Sequence, residues 1–199
     1  MKKLPYLLFL LLIPWWGCRK DVKNAPGSGP ATQTVGDLQF ILETTDMNDN
    51  VQSVFKQGEN FKLKLLIKNN SAQNITLCHC FLTQHPELLT VYAAEKITIP
   101  TKYGQQNIEP NDSVGRPWRG AGGVYIAPVT FVFPHSISEY SLPWSAPDTT
   151  VHYWAPYPIQ YQAFSVLQNA PLPAGEYYTK FNFVYAEKSV KLKYYFQIQ

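Results

Sequence analysis

"QGENFKLKLLIKNNSAQNITL" (residues 57–77) is the stretch on which the fold turns. From Phe61 to Lys68 the side chains alternate. Phe61, Leu63, Leu65 and Ile67 point one way, and Lys62, Lys64, Leu66 and Lys68 the other. A period of two belongs to a strand with one buried and one wet face. Asn69, Asn70 and Ser71 then favour a turn. Ile75, Leu77, His79 and Phe81 share one side of the strand expected next, as the partner of the first.

The same alternation appears on both flanks. Leu38, Phe40 and Leu42 share a face upstream. Near the C-terminus Tyr177, Thr179, Phe181, Phe183 and Tyr185 form one stripe, and Val190, Leu192, Tyr194, Phe196 and Ile198 form a second. A turn over Ala186 to Ser189 would join them into a hairpin. No stretch between these segments carries a capped apolar pattern of period 3.6, so the expected class is all-β. The middle, roughly residues 98–168, is crowded with Trp, Tyr, Pro and Gly and reads as long loops projecting from the strands.

The chain carries a formal net charge of +3. Removing residues 1–17 takes away Lys2 and Lys3 and no acid, which leaves about +1. A near-neutral body without a basic stripe argues against nucleic acid, whose binding depends on neutralising phosphates. The remaining length suits one domain with a proper core.

The N-terminus pairs Lys2 and Lys3 with an apolar run from Leu4 to Ile13, then Pro14, Trp15, Trp16, Gly17 and Cys18. That run is shorter than the roughly 20 residues a spanning helix needs, and it fits the charged and apolar regions of an export signal. The placement of Cys18 resembles the lipobox of bacterial lipoproteins, in which a small residue precedes a cysteine that is acylated before cleavage. Gly17 matches that pattern, whereas Trp15 and Trp16 stand where the family favours Leu and a small residue. The resemblance implies lipidation (palmitate) at Cys18 and anchoring in the outer membrane. Arg19-Lys20-Asp21 resembles the charged segment after the cysteine in lipoproteins of Bacteroidetes-type bacteria, some of which face the cell surface; a periplasmic orientation stays equally open. The expected organisation is a signal peptide over 1–17, a flexible tether over 18–36, rich in Pro, Gly and Ser, and a β-domain over 37–199.

"QGENFKLKLLIKNNSAQNITL" and "LPAGEYYTKFNF" (residues 172–183) resemble strand entries of immunoglobulin-like domains in bacterial envelope proteins. The resemblance implies an immunoglobulin-like antiparallel β-sandwich with long loop insertions, and it brings no function with it.

Several short patterns combine residue types that can carry chemistry. Cys78, His79, Cys80 and His85 are soft ligands close in sequence. However, alternation sends His79 to the face opposite both cysteines, so the expectation is no metal and two adjacent free thiols. His135 and His152 lie near Ser136, Glu139 and Asp148 but match no nucleophile motif, and no catalytic residue is assigned. Glu109, Asp112, Glu139 and Asp148 show no spacing diagnostic of a glycosidase pair. "RPWRGAGG" (residues 116–123) lacks the Lys-Ser/Thr of a phosphate loop. Asp112-Ser113-Val114 and Asp148-Thr149-Thr150 resemble O-glycosylation sites of Bacteroidetes-type bacteria. The Asn-x-Ser/Thr triplets at Asn69, Asn74 and Asn111 carry no such expectation.

The densest candidate is aromatic. Trp118, Trp144, Tyr153, Trp154, Tyr157 and Tyr161 could stack on sugar faces or anchor a protein partner, or they could plug the end of the fold. The expected function is therefore a cell-envelope lipoprotein acting as a non-catalytic binding or assembly module. It would need no cofactor, and its membrane contact would be made through Cys18. The alternative is a carbohydrate-binding module using the aromatic loops; a hydrolase or metal-binding protein stands behind both.

Overall fold

A computed structural model describes residues 29–78, 87–101, 103–120, 129–146, 151–153 and 163–199. The leader, Cys18, the first part of the tether, His79, Cys80, His85, Asp148, Thr149, Trp154, Tyr157 and Tyr161 lie outside them. The described residues are all-β and contain no helix. In chain order the first eight strands are β1 (Ala31–Val35), β2 (Leu38–Thr45), β3 (Val54–Phe55), β4 (Lys62–Asn69), β5 (Ile75–Cys78), β6 (Val91–Ala93), β7 (Ile97–Thr101) and β8 (Gly104–Ile108). The rest are β9 (Ser113–Gly115), β10 (Trp118–Gly120), β11 (Val129–Val132), β12 (Ile137–Pro143), β13 (Val151–Tyr153), β14 (Ala163–Val166), β15 (Gly175–Tyr185) and β16 (Lys188–Ile198).

Two larger sheets dominate. The first has the order β1-β2-β4-β12 and the second β3-β16-β15-β6-β9. Pairing is antiparallel except between β3 and β16, which run parallel. Lys64, on the side of β4 expected to be wet, is buried. The inward side of the alternation is realised, with Phe61, Leu63, Leu65 and Ile67 all completely buried. Burying each such side chain contributes about 2 kcal/mol. Their face meets the second sheet through aromatic rings. Phe40 of β2 lies 6.1 Å from Phe181 of β15, and Phe61 lies 5.1 Å from Phe196 of β16 and 5.0 Å from Phe55 of β3.

The C-terminal hairpin forms as expected, with Tyr177 opposite Phe196 and Phe183 opposite Val190. Its turn is tighter than the expected four residues, because the ladder continues to Tyr185 opposite Lys188. Ala186 and Glu187 alone make the connection, both with positive φ (47° and 63°). Two left-handed residues match the right-handed twist of the strands, at a cost of about 1 kcal/mol for each non-glycine.

Three expectations are corrected. The sheet begins at Ala31, not at residue 37, because Ala31 and Val35 are buried on β1. Polar Thr and Gln residues between them hid the alternation. The Gln33 side-chain amide occupies the edge of β16: its Nε2 donates to the Ser189 carbonyl (2.8 Å) and its Oε1 accepts from the Lys191 N–H (2.7 Å). Second, β5 pairs with β11, not with β4. The Asn69 side chain holds the bend, donating to the carbonyls of Gln73 (2.7 Å) and Val132 (2.9 Å). Third, the middle of the chain is not a set of loops on a finished sheet. It supplies β7 to β14, and β12 pairs along its whole length with β4. "ISEYSLP" alternates Ser138, Tyr140 and Leu142 inward, a pattern that its polar members disguised.

Candidate functional site

Two tyrosine doublets build the candidate site. Tyr177-Tyr178 sits on β15 and Tyr194-Tyr195 on β16. Successive strand residues face opposite ways, so Tyr177 and Tyr194 join the core while Tyr178 and Tyr195 take the outer face. Register then aligns them: Tyr178 is opposite Tyr195 on one side and Tyr92 of β6 on the other. The three rings form a row across three strands. Centroids are 5.1 Å apart for Tyr92–Tyr178, with the planes 12° from parallel, and 5.5 Å apart for Tyr178–Tyr195.

Cations lie over this row. The Lys193 ammonium is 3.8 Å from the Tyr178 ring centre and 4.9 Å from that of Tyr195. Lys180 lies 4.6 Å from the Tyr92 ring and is bonded to Glu87 at 3.1 Å. Each such contact contributes about 0.5–1 kcal/mol at a partly wet site. Lys180 and Lys193 are direct cross-strand partners, an arrangement that is unfavourable for like charges. Glu87 answers Lys180, whereas among the described residues no carboxylate is bonded to Lys193. Burial pushes the phenols of Tyr92 and Tyr178 up, and the Lys180 charge pulls them partly back. Burial pulls the Lys180 ammonium down, but the bond to Glu87 together with the charges of Tyr92, Glu87 and Tyr178 leaves it raised on balance.

The row runs into an open depression of about 390 Å³ lined by Glu87, Thr90, Tyr92, Ser113, Gly115 and Arg116. Arg116 stacks over Trp118 at 4.5 Å. The Tyr178 hydroxyl donates to the Asn111 side chain at 3.2 Å. Leu89, buried beside this site, holds a φ of +55° in the turn that presents Glu87, a local strain maintained by its surroundings.

The outer face of the first sheet is different. Lys64 is bonded to Asp49 (2.7 Å) and Glu139 (2.9 Å), and Lys62 to Asp49 (2.9 Å). Those bonds hold the Asp49 carboxyl at about 2. Glu43, opposite Lys64 in the register, is buried, and loss of water raises its pKa despite the neighbouring ammonium. Charge here is answered within the molecule.

The residues singled out from sequence fall elsewhere. Trp118 and Trp144 are buried, at 6% and 4% exposure, and their indole N–H groups donate to the carbonyls of Leu88 (2.8 Å) and Ala170 (2.9 Å). Trp144 stacks on Phe61 at 6.1 Å. Its edge lines a shallow depression with Glu59, Asn60, Ser145 and Pro171, yet its ring is part of the core. Tyr153 is described only as strand backbone, opposite Ala163. His135 is exposed in a turn, with a φ of +54°. Neighbouring Ser136 bonds the Phe133 carbonyl, and Glu139 bonds Lys64, so the three do not converge. Cys78 ends β5, and Ser113 is exposed on β9. The tyrosine row was missed because its three members lie far apart in sequence. The doublets were its only visible sign. Among the described residues no group of three or more His, Cys, Asp and Glu is placed to hold a metal. The chain matches no protein-family model, no curated protein and no solved structure.

Proposed function

We propose that this protein is a cell-envelope lipoprotein, anchored to the outer membrane through acylated Cys18, whose β-domain is a non-catalytic binding or assembly module. The observation that carries the binding role is the row Tyr92–Tyr178–Tyr195 overlain by Lys180 and Lys193. Tyr92 and Tyr178 are buried, at 7% and 4% exposure, and form the base of the row; what the face presents to a ligand is half-buried Tyr195 and exposed Lys193, a cation with no bonded carboxylate among the described residues. The anchoring part rests on the Lys2-Lys3 leader, its short apolar run and the Gly17-Cys18 pair. Two acyl chains or more give stable attachment.

The domain reads as an immunoglobulin-like sandwich on three observations. The chain leaves the first sheet after β2, and β3 then runs parallel to β16 in the second sheet. The order β16-β15-β6-β9 corresponds to the G-F-C-C′ sheet of such domains, with β2-β4-β12 on the other side. The Tyr177 hydroxyl donates to the Pro173 carbonyl four residues back, at 2.7 Å, the corner bond typical of that architecture. The "LPAGEYY" motif (residues 172–178) thereby acquires a structural cause. Gly175 belongs to it because a Cβ there would come within 3.0 Å of Ile97.

Two experiments test the reading. Metabolic labelling with a palmitate analogue should tag the wild-type protein in the membrane fraction, and Cys18→Ser should abolish the label. An unlabelled wild-type protein overturns the anchor. For the binding face, the Cys18→Ser protein should be retained on washed envelopes, and Lys193→Gln with Tyr195→Ser should release it while circular dichroism stays unchanged. Equal retention of the double variant overturns the assignment of this face.

A further inference from the structure

Resting on that reading of the face, we infer that its ligand is an acidic polysaccharide, a chain of sugars bearing carboxylates, lying across the strands from β16 to β9. The charge pattern points there. Lys193 has no bonded carboxylate among the described residues, and it faces Lys180 across the ladder. Lys191 lies on the same face two residues along β16, about 7 Å away, exposed and with its backbone N–H bonded to Gln33. Three ammonium groups are thus gathered on two adjacent strands, with one carboxylate, Glu87, bonded among them. A bound carboxylate would relieve the Lys180–Lys193 repulsion that the fold otherwise maintains.

Shape narrows the class. From β16 through β15 and β6 to β9 is about 14 Å, a track for a short run of sugar units. The track ends in the depression of about 390 Å³ beside Arg116, which is in the size range of small-ligand sites. Half-buried Tyr195 leaves part of its ring open to a ligand, while Asn182 and Gln197 add exposed or half-exposed amides on the same face. A protein partner would favour an apolar centre with anchoring side chains. Here the rings lie under ammonium groups, and Val184, 66% exposed, is the large apolar side chain the face offers to solvent. A flat anionic bilayer laid on this face would meet Glu176, which lies on the same side of β15 as Tyr178 and Lys180, whereas a chain crossing the strands nearer Lys193 avoids it.

The test uses the chain from residue 18 onward carrying Cys18→Ser, which retains every core residue between Ala31 and Ile198. Its probes are polygalacturonate, neutral dextran of matched size, and phosphatidylglycerol vesicles, with affinity read by calorimetry and by retardation in gels. Polygalacturonate alone should bind. Lys193→Gln with Lys191→Gln should weaken it by about tenfold or more, and Lys96→Gln, a charge removed elsewhere at the Lys96–Glu109 pair, should leave it unchanged. Equal weakening by Lys96→Gln, equal binding of dextran, binding of vesicles alone, or no response to any probe each overturns the inference. Envelope retention that still depends on Lys193 and Tyr195 in the absence of polygalacturonate binding would leave the binding face standing and remove only its acidic sugar.

Discussion

On the outer face of β4, Lys62 and Lys64 are bonded to Asp49, and Lys64 also to Glu139. On the outer face of β16, Lys193 lies over two tyrosines with no bonded carboxylate among the described residues. Both faces have their lysines from the same strand alternation, and the neighbours decide what those lysines do. Carboxylates within reach consume the charge of the first face. Rings under the second hold the ammonium in place but leave its charge available, since a ring quadrupole answers a cation only in part.

The largest effect expected from this contrast is on the ring side. Tyr178→Ala removes a side chain that is 4% exposed and contacts both Tyr92 and Tyr195. It should cost about 3–4 kcal/mol in urea unfolding, with little dependence on salt. A loss below about 1 kcal/mol would mean that the row is ornamental to stability. Lys64→Ala comes next, at about 2–3 kcal/mol, because it leaves buried Glu43 facing Glu139 without the ammonium that answers both. Asp49 and Glu139 are half exposed, which keeps the figure below that of a fully buried pair.

The carboxylate face also has a pH signature that the ring face lacks. Glu43 has a raised pKa, so its contribution is complete below its usual 4.5 and is lost as pH rises through its folded value. Asp49 is lowered from 3.8 to about 2, so its contribution is present above 3.8 and is lost as pH falls through about 2. Unfolding midpoints should therefore improve as pH falls toward 4.5 and decline further down, and Glu43→Gln should erase only the first arm. A profile unchanged by Glu43→Gln would show that folding does not raise the Glu43 pKa.

The tip joining β15 to β16 lies on neither face and gives a calibration. Glu187→Gly should stabilise by about 1 kcal/mol by relieving the left-handed backbone, without altering ligand binding. The smallest shift, within about 0.5 kcal/mol, is expected for Lys193→Gln, where the lost ring contact is offset by relief of repulsion with Lys180. Calorimetry on the variant would check it. A large loss of stability there would recast Lys193 as structural support for the row.

The periodicity of β4, β2 and the C-terminal hairpin was legible because burial on one face of a strand imposes a period of two on the sequence itself. Phe61 through Ile67 and Val190 through Ile198 needed no other context. Pairing was not legible in the same way. That β5 joins β11, that β12 flanks β4, and that Trp118 and Trp144 belong to the core depend on which surfaces meet, and alternation has nothing to say about partners. The candidate face shows the division most plainly. The doublets Tyr177-Tyr178 and Tyr194-Tyr195 determine locally that one ring of each goes outward. Only the register of three strands, with Tyr92 brought in from a distant segment, aligns those rings beneath Lys180 and Lys193, because register is set by the packing of the opposite, buried face.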